Sequence, residues 1–336
     1  MRLLVFSARD YDRRYLDLAN HARSQPHAID YTDAHLSADT AALAAGYEAV
    51  CVFVNDRLDA DVLARLHRGG TRLLLLRCAG FNQLDVPAAI AQGLQIARVP
   101  AYSPHAVAEH AVALLLSLNR HLHRAFNRTR ENDFRLDGLE GFDLYGKTVG
   151  VIGAGRIGAA FAGIMLGFGC RVCIHDPLPL PADLLARGAT ATTLPDLLAA
   201  SDVISLHCPL TPATHHVIDR RALSQMRAGV TLINTSRGGL LDTRAVIAAL
   251  KAGRIGALGL DVYEQEEQLF FDDHSSSVVT DDVLQRLLTF PNVVVTGHQG
   301  FFTREALATI AETTLRNLDD YASGQLALSP NRLPLN

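Results

Sequence analysis

Three short segments carry side chains able to bind and protonate a small oxo acid. They are Asn234-Thr235-Ser236-Arg237-Gly238-Gly239, Gly259-Leu260-Asp261-Val262-Tyr263-Glu264-Gln265-Glu266 and Thr296-Gly297-His298-Gln299-Gly300-Phe301. Each begins where an apolar, strand-like run ends, and ligands collect at the C-terminal ends of strands in an open α/β sheet. An Arg, a carboxylate and a His delivered to one such edge suit a 2-keto acid. A guanidinium fork grips a carboxylate with two parallel charge-assisted bonds, where Lys would offer a point charge. Reduction puts a hydride on the carbonyl carbon while the oxygen gains a proton, and imidazolium is well suited to supply that proton near neutral pH. Taken singly, Arg237 reads as a helix-entry residue and His298 as a core histidine. The combination carries the reading.

The hydride needs a source. Val149-Gly150-Val151-Ile152 leads into Gly153-Ala154-Gly155-Arg156-Ile157-Gly158, a G-x-G-x-x-G pattern that is weak evidence alone. Here it follows a strand, opens a helix, and is followed by a second strand ending in His175-Asp176, the context a dinucleotide fingerprint requires. Gly153 permits the tight turn, Gly155 lets the backbone approach a pyrophosphate, and Gly158 allows close helix–strand packing. Free N–H groups at the helix start, at Arg156 and Ile157, meet the diphosphate charge. Asp176 can accept from both adenosine-ribose hydroxyls and would repel a 2′-phosphate, which favours NAD over NADP. The plainer reading of Asp176 is a strand-end residue capping the turn before Pro177.

Two series of strand–helix alternation must position these groups. Strand-like runs at 2–7, 49–54, 72–77 and 94–99 alternate with helix-like stretches such as 60–67 and 86–92, which points to a parallel sheet covered by helices. No turn in this series carries a glycine phosphate loop, so the nucleotide belongs elsewhere. Pro100 and Pro104 mark a break, and 106–124 reads as one long helix with a broad apolar face. After a polar stretch, strands at 148–152, 171–175, 203–207, 230–234, 257–261 and 293–296 form the second series, with a helix over 157–168. The final helix, 303–321, follows the last nucleotide-domain strand and is expected to cross back to the first domain. The fold class is therefore α/β, with two Rossmann-like domains of parallel sheet and a cleft between them. The substrate domain is discontinuous, 1–101 with 299–336, and 102–298 is the NAD-binding domain. Inter-domain clefts commonly hold small ligands.

The bulk numbers agree with that plan. A chain of 336 residues is long enough for two domains, each with its own core. With 49% apolar and 20% charged residues it has the profile of a globular protein. A net charge of −4 argues against nucleic acid as a partner; the Arg-rich stretch 120–135 reads as a solvated helix end. The start of the chain reads as a strand rather than a signal peptide, and no apolar run approaches the ~20 residues needed to span a bilayer. The cytoplasm is the expected compartment, and reduced thiols fit it. Cys170 and Cys173 have metal or redox spacing but sit in a strand pattern, pointing to opposite faces, without a second pair at ligand distance. His105, Glu109 and His110 match no zinc pattern and read as a hinge or subunit-contact face. No metal is expected.

Along its whole length the sequence resembles the D-isomer-specific 2-hydroxyacid dehydrogenase family, whose Arg, Glu and His arrive in this order and at closely similar intervals. Val99-Pro100-Ala101-Tyr102-Ser103-Pro104-His105-Ala106-Val107-Ala108-Glu109-His110, the insert Leu269-Phe270-Phe271-Asp272-Asp273 and Gly297-His298-Gln299 resemble the branch that ferments pyruvate to D-lactate. The resemblance implies Arg237 as carboxylate binder and carbonyl polariser, and His298 as proton donor. Glu266 is implied as the partner of His298, chosen over nearby Glu264 by its spacing from Asp261. It further implies cofactor contacts at Cys208, Pro209, Thr214, Thr235, Ser236, Arg237, Asp261 and His298, with Asp261 toward the nicotinamide. On the substrate side it implies backbone N–H groups of Ala79 and Gly80, the Tyr102 hydroxyl, and Phe301 in a small apolar pocket. A homodimer or homotetramer is implied, with the long helix as dimer element. Cys78 and Gly300 depart from the family pattern on the substrate side. Another 2-keto acid, such as hydroxypyruvate or glyoxylate, and an NAD-sensing co-repressor-like role stand as alternatives.

Overall fold

The computed structural model describes residues 1–266 and 269–333; the last three residues of the expected substrate domain, 334–336, lie outside it. The chain divides into two compact units, one of Met1–Ser103 plus the stretch from Phe302 onward, the other Pro104–Phe301. Their limits thus fall at 103/104 and 301/302, two or three residues beyond the expected 101/102 and 298/299.

The first unit runs β1 (Arg2–Val5), α1 (Asp10–His21), β2 (Ala28–Tyr31), β3 (Ala49–Val52), α2 (Ala60–Arg68), β4 (Leu73–Leu76), α3 (Val86–Ala91) and β5 (Gln95–Arg98). The strands form one sheet in the order β2-β1-β3-β4-β5, every pair parallel. Its central strands are continuous apolar runs, buried on both faces, as helices on either side of a parallel sheet require. One short strand of this sheet, β2, lies outside the strand-like runs of the sequence. The β2 sequence, Ala-Ile-Asp-Tyr, is an edge with half its residues exposed, so it carries no apolar run to find.

The second unit runs α4 (Pro104–Asn119), α5 (Leu122–Arg130), β6 (Thr148–Ile152), α6 (Arg156–Gly167), β7 (Arg171–His175), α7 (Ala182–Ala186) and β8 (Thr190–Ala191). It continues with α8 (Leu194–Ala200), β9 (Val203–Leu206), α9 (Arg220–Gln225), β10 (Val230–Asn234), α10 (Thr243–Lys251), β11 (Ile255–Leu260), α11 (Asp282–Leu288) and β12 (Val293–Val295). Seven parallel strands take the order β12-β11-β10-β9-β6-β7-β8. The order reverses between β6 and β9, and a doubly wound sheet binds its ligand at such a switch point. The last helix, α12 (Arg304–Ala322), belongs to the first unit and packs on α1 and β4. Leu315 and Leu318 of α12 join Leu3, Val5, Leu73 and Leu75 in that unit's core.

One expectation needs correction. The single helix over 106–124 is two helices, separated at His121, which has a left-handed φ of 49°. Apolar residues continue through Leu122 and Phe126, so periodicity alone runs the helix on. The stop comes from buried Asn119, whose side chain donates to the Phe142 carbonyl at 2.8 Å and accepts from the Phe142 amide at 2.9 Å. That clamp ties the returning chain to the end of α4.

Candidate active site

The glycine turn is built by close approach. Gly153 has a φ of 97°, and a Cβ there would lie 2.6 Å from the Cys208 amide nitrogen. A Cβ on Gly158 would lie 1.9 Å from the Gly153 carbonyl oxygen and 3.1 Å from the His207 Cβ. Gly155, the N-cap of α6, faces open space, with nothing within 4 Å of where a Cβ would stand. So two glycines let β6, β9 and α6 meet, and the third leaves the backbone bare at the helix N-terminus, where Arg156 and Ile157 begin α6. At the end of β10 the Thr235 hydroxyl is buried without a partner among the described residues. A bare helix start at the switch point and an orphaned hydroxyl on a neighbouring strand end fit a dinucleotide.

Asp176, at the end of β7, accepts from the Ala154 amide at 2.6 Å through Oδ2 and from the Leu178 amide at 2.8 Å through Oδ1. It therefore braces the glycine turn, while each carboxylate oxygen keeps acceptor capacity for ribose hydroxyls. The loop after β9 braces itself. The Thr214 hydroxyl donates to the Pro209 carbonyl at 2.6 Å, and Ser236 ties in the next loop by donating to the Cys208 carbonyl at 2.7 Å. Burial pushes the Cys208 thiol up to about 11, so it is a neutral wall group.

Arg237 leads the loop after β10. Asn234 holds that loop, its side chain donating to the Arg237 carbonyl at 2.9 Å and accepting from the Ser236 amide at 3.0 Å. The guanidinium is half-buried and spends one N–H on the Ser236 carbonyl, 2.7 Å away. Its other donors make no hydrogen bond among the described residues. Gly238 is pressed against the backbone of Tyr263 and Glu264, which fixes this loop to the one after β11.

His298 and Glu266 meet directly, Nδ1 to Oε1 at 2.7 Å. Because an ionised carboxylate can only accept, Nδ1 carries the shared proton and Nε2 is left to exchange the other. The second Glu266 oxygen accepts from the Tyr263 amide at 2.8 Å, locking the carboxylate in place. Glu264 turns elsewhere, to His216 and Thr243. His298 itself sits at φ 53°, a left-handed conformation that costs energy for a non-glycine residue.

Asp261 supplies what holds that conformation, a role absent from the sequence reading. It is 1% exposed. Its Oδ1 accepts from the Thr296 hydroxyl and, at 2.8 Å, from the Gln299 amide, with His110 Nε2 at 3.2 Å; Oδ2 accepts from the Gly300 amide at 2.8 Å. Burial raises its carboxyl, but the hydrogen bonds from His110 and Thr296 outweigh that and hold it below the usual carboxylate range. The cofactor contact expected of Asp261 would have to come from an almost enclosed group. Sequence reading also missed Phe271, whose ring lies 5.8 Å from that of His298; it stands in the Leu-Phe-Phe-Asp-Asp insert. Phe301 is buried at the end of the same unit.

Ala79, Gly80 and Tyr102 belong to the first unit. The Ala79 and Gly80 amides donate to no described residue, while the Ala79 carbonyl is held by Arg98 at 2.5 Å and that of Gly80 by the Cys78 thiol at 3.2 Å. All five cysteines are free, Cys170 and Cys173 included, and no helix among the described residues is long and apolar enough to cross a membrane.

Residues 112–300 match the family described as D-isomer specific 2-hydroxyacid dehydrogenase, NAD binding domain. The chain is 53% identical to D-lactate dehydrogenase kk1H of Curvularia clavata over 327 residues, covering 96% of this chain and 93% of that one. The apo structure of D-lactate dehydrogenase from Escherichia coli superposes with a TM-score of 0.90 at 47% identity, covering 99% and 100% of the two chains. D-lactate dehydrogenase from Aquifex aeolicus, solved with NAD and lactic acid, gives 0.87 at 32% identity, covering 99% of each.

Proposed function

The chain belongs to the D-isomer-specific 2-hydroxyacid dehydrogenase family, and from that premise we propose that it reduces pyruvate to D-lactate at the expense of NADH. Bound NADH supplies the hydride. Arg237 uses its unspent N–H groups to grip the substrate carboxylate and polarise the carbonyl. His298, oriented by Glu266, gives the proton on Nε2 to the carbonyl oxygen as the carbon is reduced. Oxidation of D-lactate runs the same path backwards, with neutral His298 as base. The family resemblance further implies the amides of Ala79 and Gly80 and the Tyr102 hydroxyl as substrate contacts. Phe301 and Phe271 supply aromatic bulk that suits a methyl group better than a long side chain.

The observation that carries this reading is the 2.7 Å pair of His298 and Glu266, on a sheet that also holds the glycine turn and Arg237. An NAD-sensing module has no need of an oriented proton donor. Assembly and location extend the proposal. Leu122, Phe126, Phe134 and Leu136 are 53%, 61%, 72% and 81% exposed, apolar surface that supports a homodimer or homotetramer. Five free cysteines support the reducing cytoplasm. The deciding experiment is NADH oxidation with pyruvate, hydroxypyruvate and glyoxylate at matched concentrations, followed by chiral analysis of the product. Pyruvate should give the highest kcat/KM, and the product should be D-lactate alone. L-lactate, or a clear preference for another acid, overturns the assignment.

A further inference from the structure

Outside this site, His215, His216 and Glu264 place one ligating atom each within 4.8 Å of one another. His216 Nε2 lies 2.7 Å from Glu264 Oε1, and the Thr243 hydroxyl donates to the other oxygen at 3.0 Å. The rings of His215 and His216 stack with centroids 3.9 Å apart. Consecutive side chains in an extended chain point to opposite sides. Here His216 adopts a left-handed φ of 51°, fixed by its amide donating to the Gly239 carbonyl at 2.8 Å, and both imidazoles turn to one side.

A hydrogen-bonded crosslink explains His216, Glu264 and Thr243, but it leaves exposed His215 unused. We propose that His215, His216 and Glu264 form a binding site for a divalent transition-metal ion, zinc being the ion their chemistry suits. Two imidazoles and one carboxylate are a zinc donor set, and three protein ligands with a solvent-facing fourth position is the open form of such a site. At zinc–nitrogen lengths near 2.1 Å, neighbouring ligand atoms on a tetrahedral ion are about 3.4 Å apart. Rotation of the exposed His215 ring and a small opening of the His216–Glu264 contact reach that spacing. Thr243 remains bonded to the carboxylate and orients it, as ligating carboxylates usually require. The ion would join the loop after β9 to the loop after β11. Tyr263, next to Glu264, donates to Glu266, so the site lies one residue from the support of the catalytic pair without using it.

The test is titration of tag-free, full-length protein, stripped with EDTA, using Zn2+ by calorimetry and Co2+ by visible absorption. One equivalent should bind, and Co2+ should give the intense d–d bands of a four- or five-coordinate site. Loss of an outer-shell partner alone weakens metal binding about 10- to 100-fold, so His215→Ala and Glu264→Gln should each weaken it by at least that. His215→Ala removes only an exposed ring, so its melting temperature in EDTA and its metal-free turnover should match the parent. Absence of a one-equivalent site in the parent, or Co2+ bands that survive His215→Ala, overturns the proposal.

Discussion

At the residue scale, the chemistry divides between groups that meet the reactants and groups that hold them. His298 is proposed as the first kind. Changing His298→Gln should lower kcat about 100- to 10,000-fold, the usual contribution of a positioned general acid, while NADH binding followed by fluorescence stays within a few-fold. Near-normal turnover would remove His298 from proton transfer. Asp261 is the second kind. Its two oxygens serve four donors from Thr296, Gln299, Gly300 and His110, and an amide at this position has one oxygen to offer. Asp261→Asn therefore points an NH2 at a backbone N–H, leaving a buried donor unsatisfied at about 1–3 kcal/mol. The loop carrying left-handed His298 should shift, and a displacement near 1 Å can cost about 100-fold in rate. Thermal melting and kcat measured on one preparation check both consequences; an unchanged kcat would mean the loop is held by something else. Arg237 and His298 could be singled out in the sequence because the proposed chemistry restricts the side-chain type, and Glu266 because the family resemblance implies it; the structure brings Glu266 and His298 together. Asp261 was legible as a residue but not in its office, because hydrogen-bond direction depends on which backbone amides the fold brings beside it.

At the element scale, the strand–turn–helix around Gly153 shows how spacing becomes structure. Gly155 and Gly158 look equivalent in the motif, yet one faces open space and the other faces the backbone of Gly153. The two alanine variants should therefore separate. Gly158→Ala must push α6 off β6, since a carbonyl oxygen at 1.9 Å cannot rotate away as a side chain would. It should lower the melting temperature and weaken NADH together. Gly155→Ala should melt like the parent and still bind NADH at least about tenfold more weakly, because the new methyl would stand in the open space proposed for the pyrophosphate. Unaltered NADH affinity in Gly155→Ala would take the diphosphate away from this turn. The same contrast explains what the pattern could not deliver. Long apolar strands such as β4 and β10 announce themselves, whereas β8 is two exposed residues. The break between α4 and α5 depends on a contact from Asn119 to Phe142, 23 residues on, which no local periodicity encodes.

At the scale of the molecule, each unit buries a polar centre in an apolar core, and these centres govern how stability responds to pH. In the first unit Arg77 is 1% exposed, bonded to Asp12 at 3.0 Å and to the Ser7 carbonyl at 2.8 Å; burial works against its charge, but the facing Asp12 and its other neighbours raise the guanidinium above its usual value. The second unit holds the opposite case in His207, beneath the glycine turn. Its Nε2 contacts the Ser205 hydroxyl at 2.9 Å, its Nδ1 is buried without a partner among the described residues, and burial pushes the ring down to about 3. In the unfolded chain a histidine titrates near ~6.5. Below that value the unfolded chain takes up a proton that the folded chain refuses, so this contribution is intact above about pH 6.5 and drains away as pH falls toward 3. The residue as a whole is only partly buried, so we expect about 1–2 kcal/mol to be lost by pH 5. Asp261, held below the usual carboxylate range, adds a loss of the same sign as pH falls through its own folded value. His207→Asn cannot titrate and should isolate the first effect. Melting curves of parent and variant at pH 7.5 and pH 5 should show the parent losing more stability than the variant over that interval. Parallel pH profiles would mean that His207 carries a proton in the folded protein, and the packing of β6, β9 and α6 around it would then have to accommodate a charge.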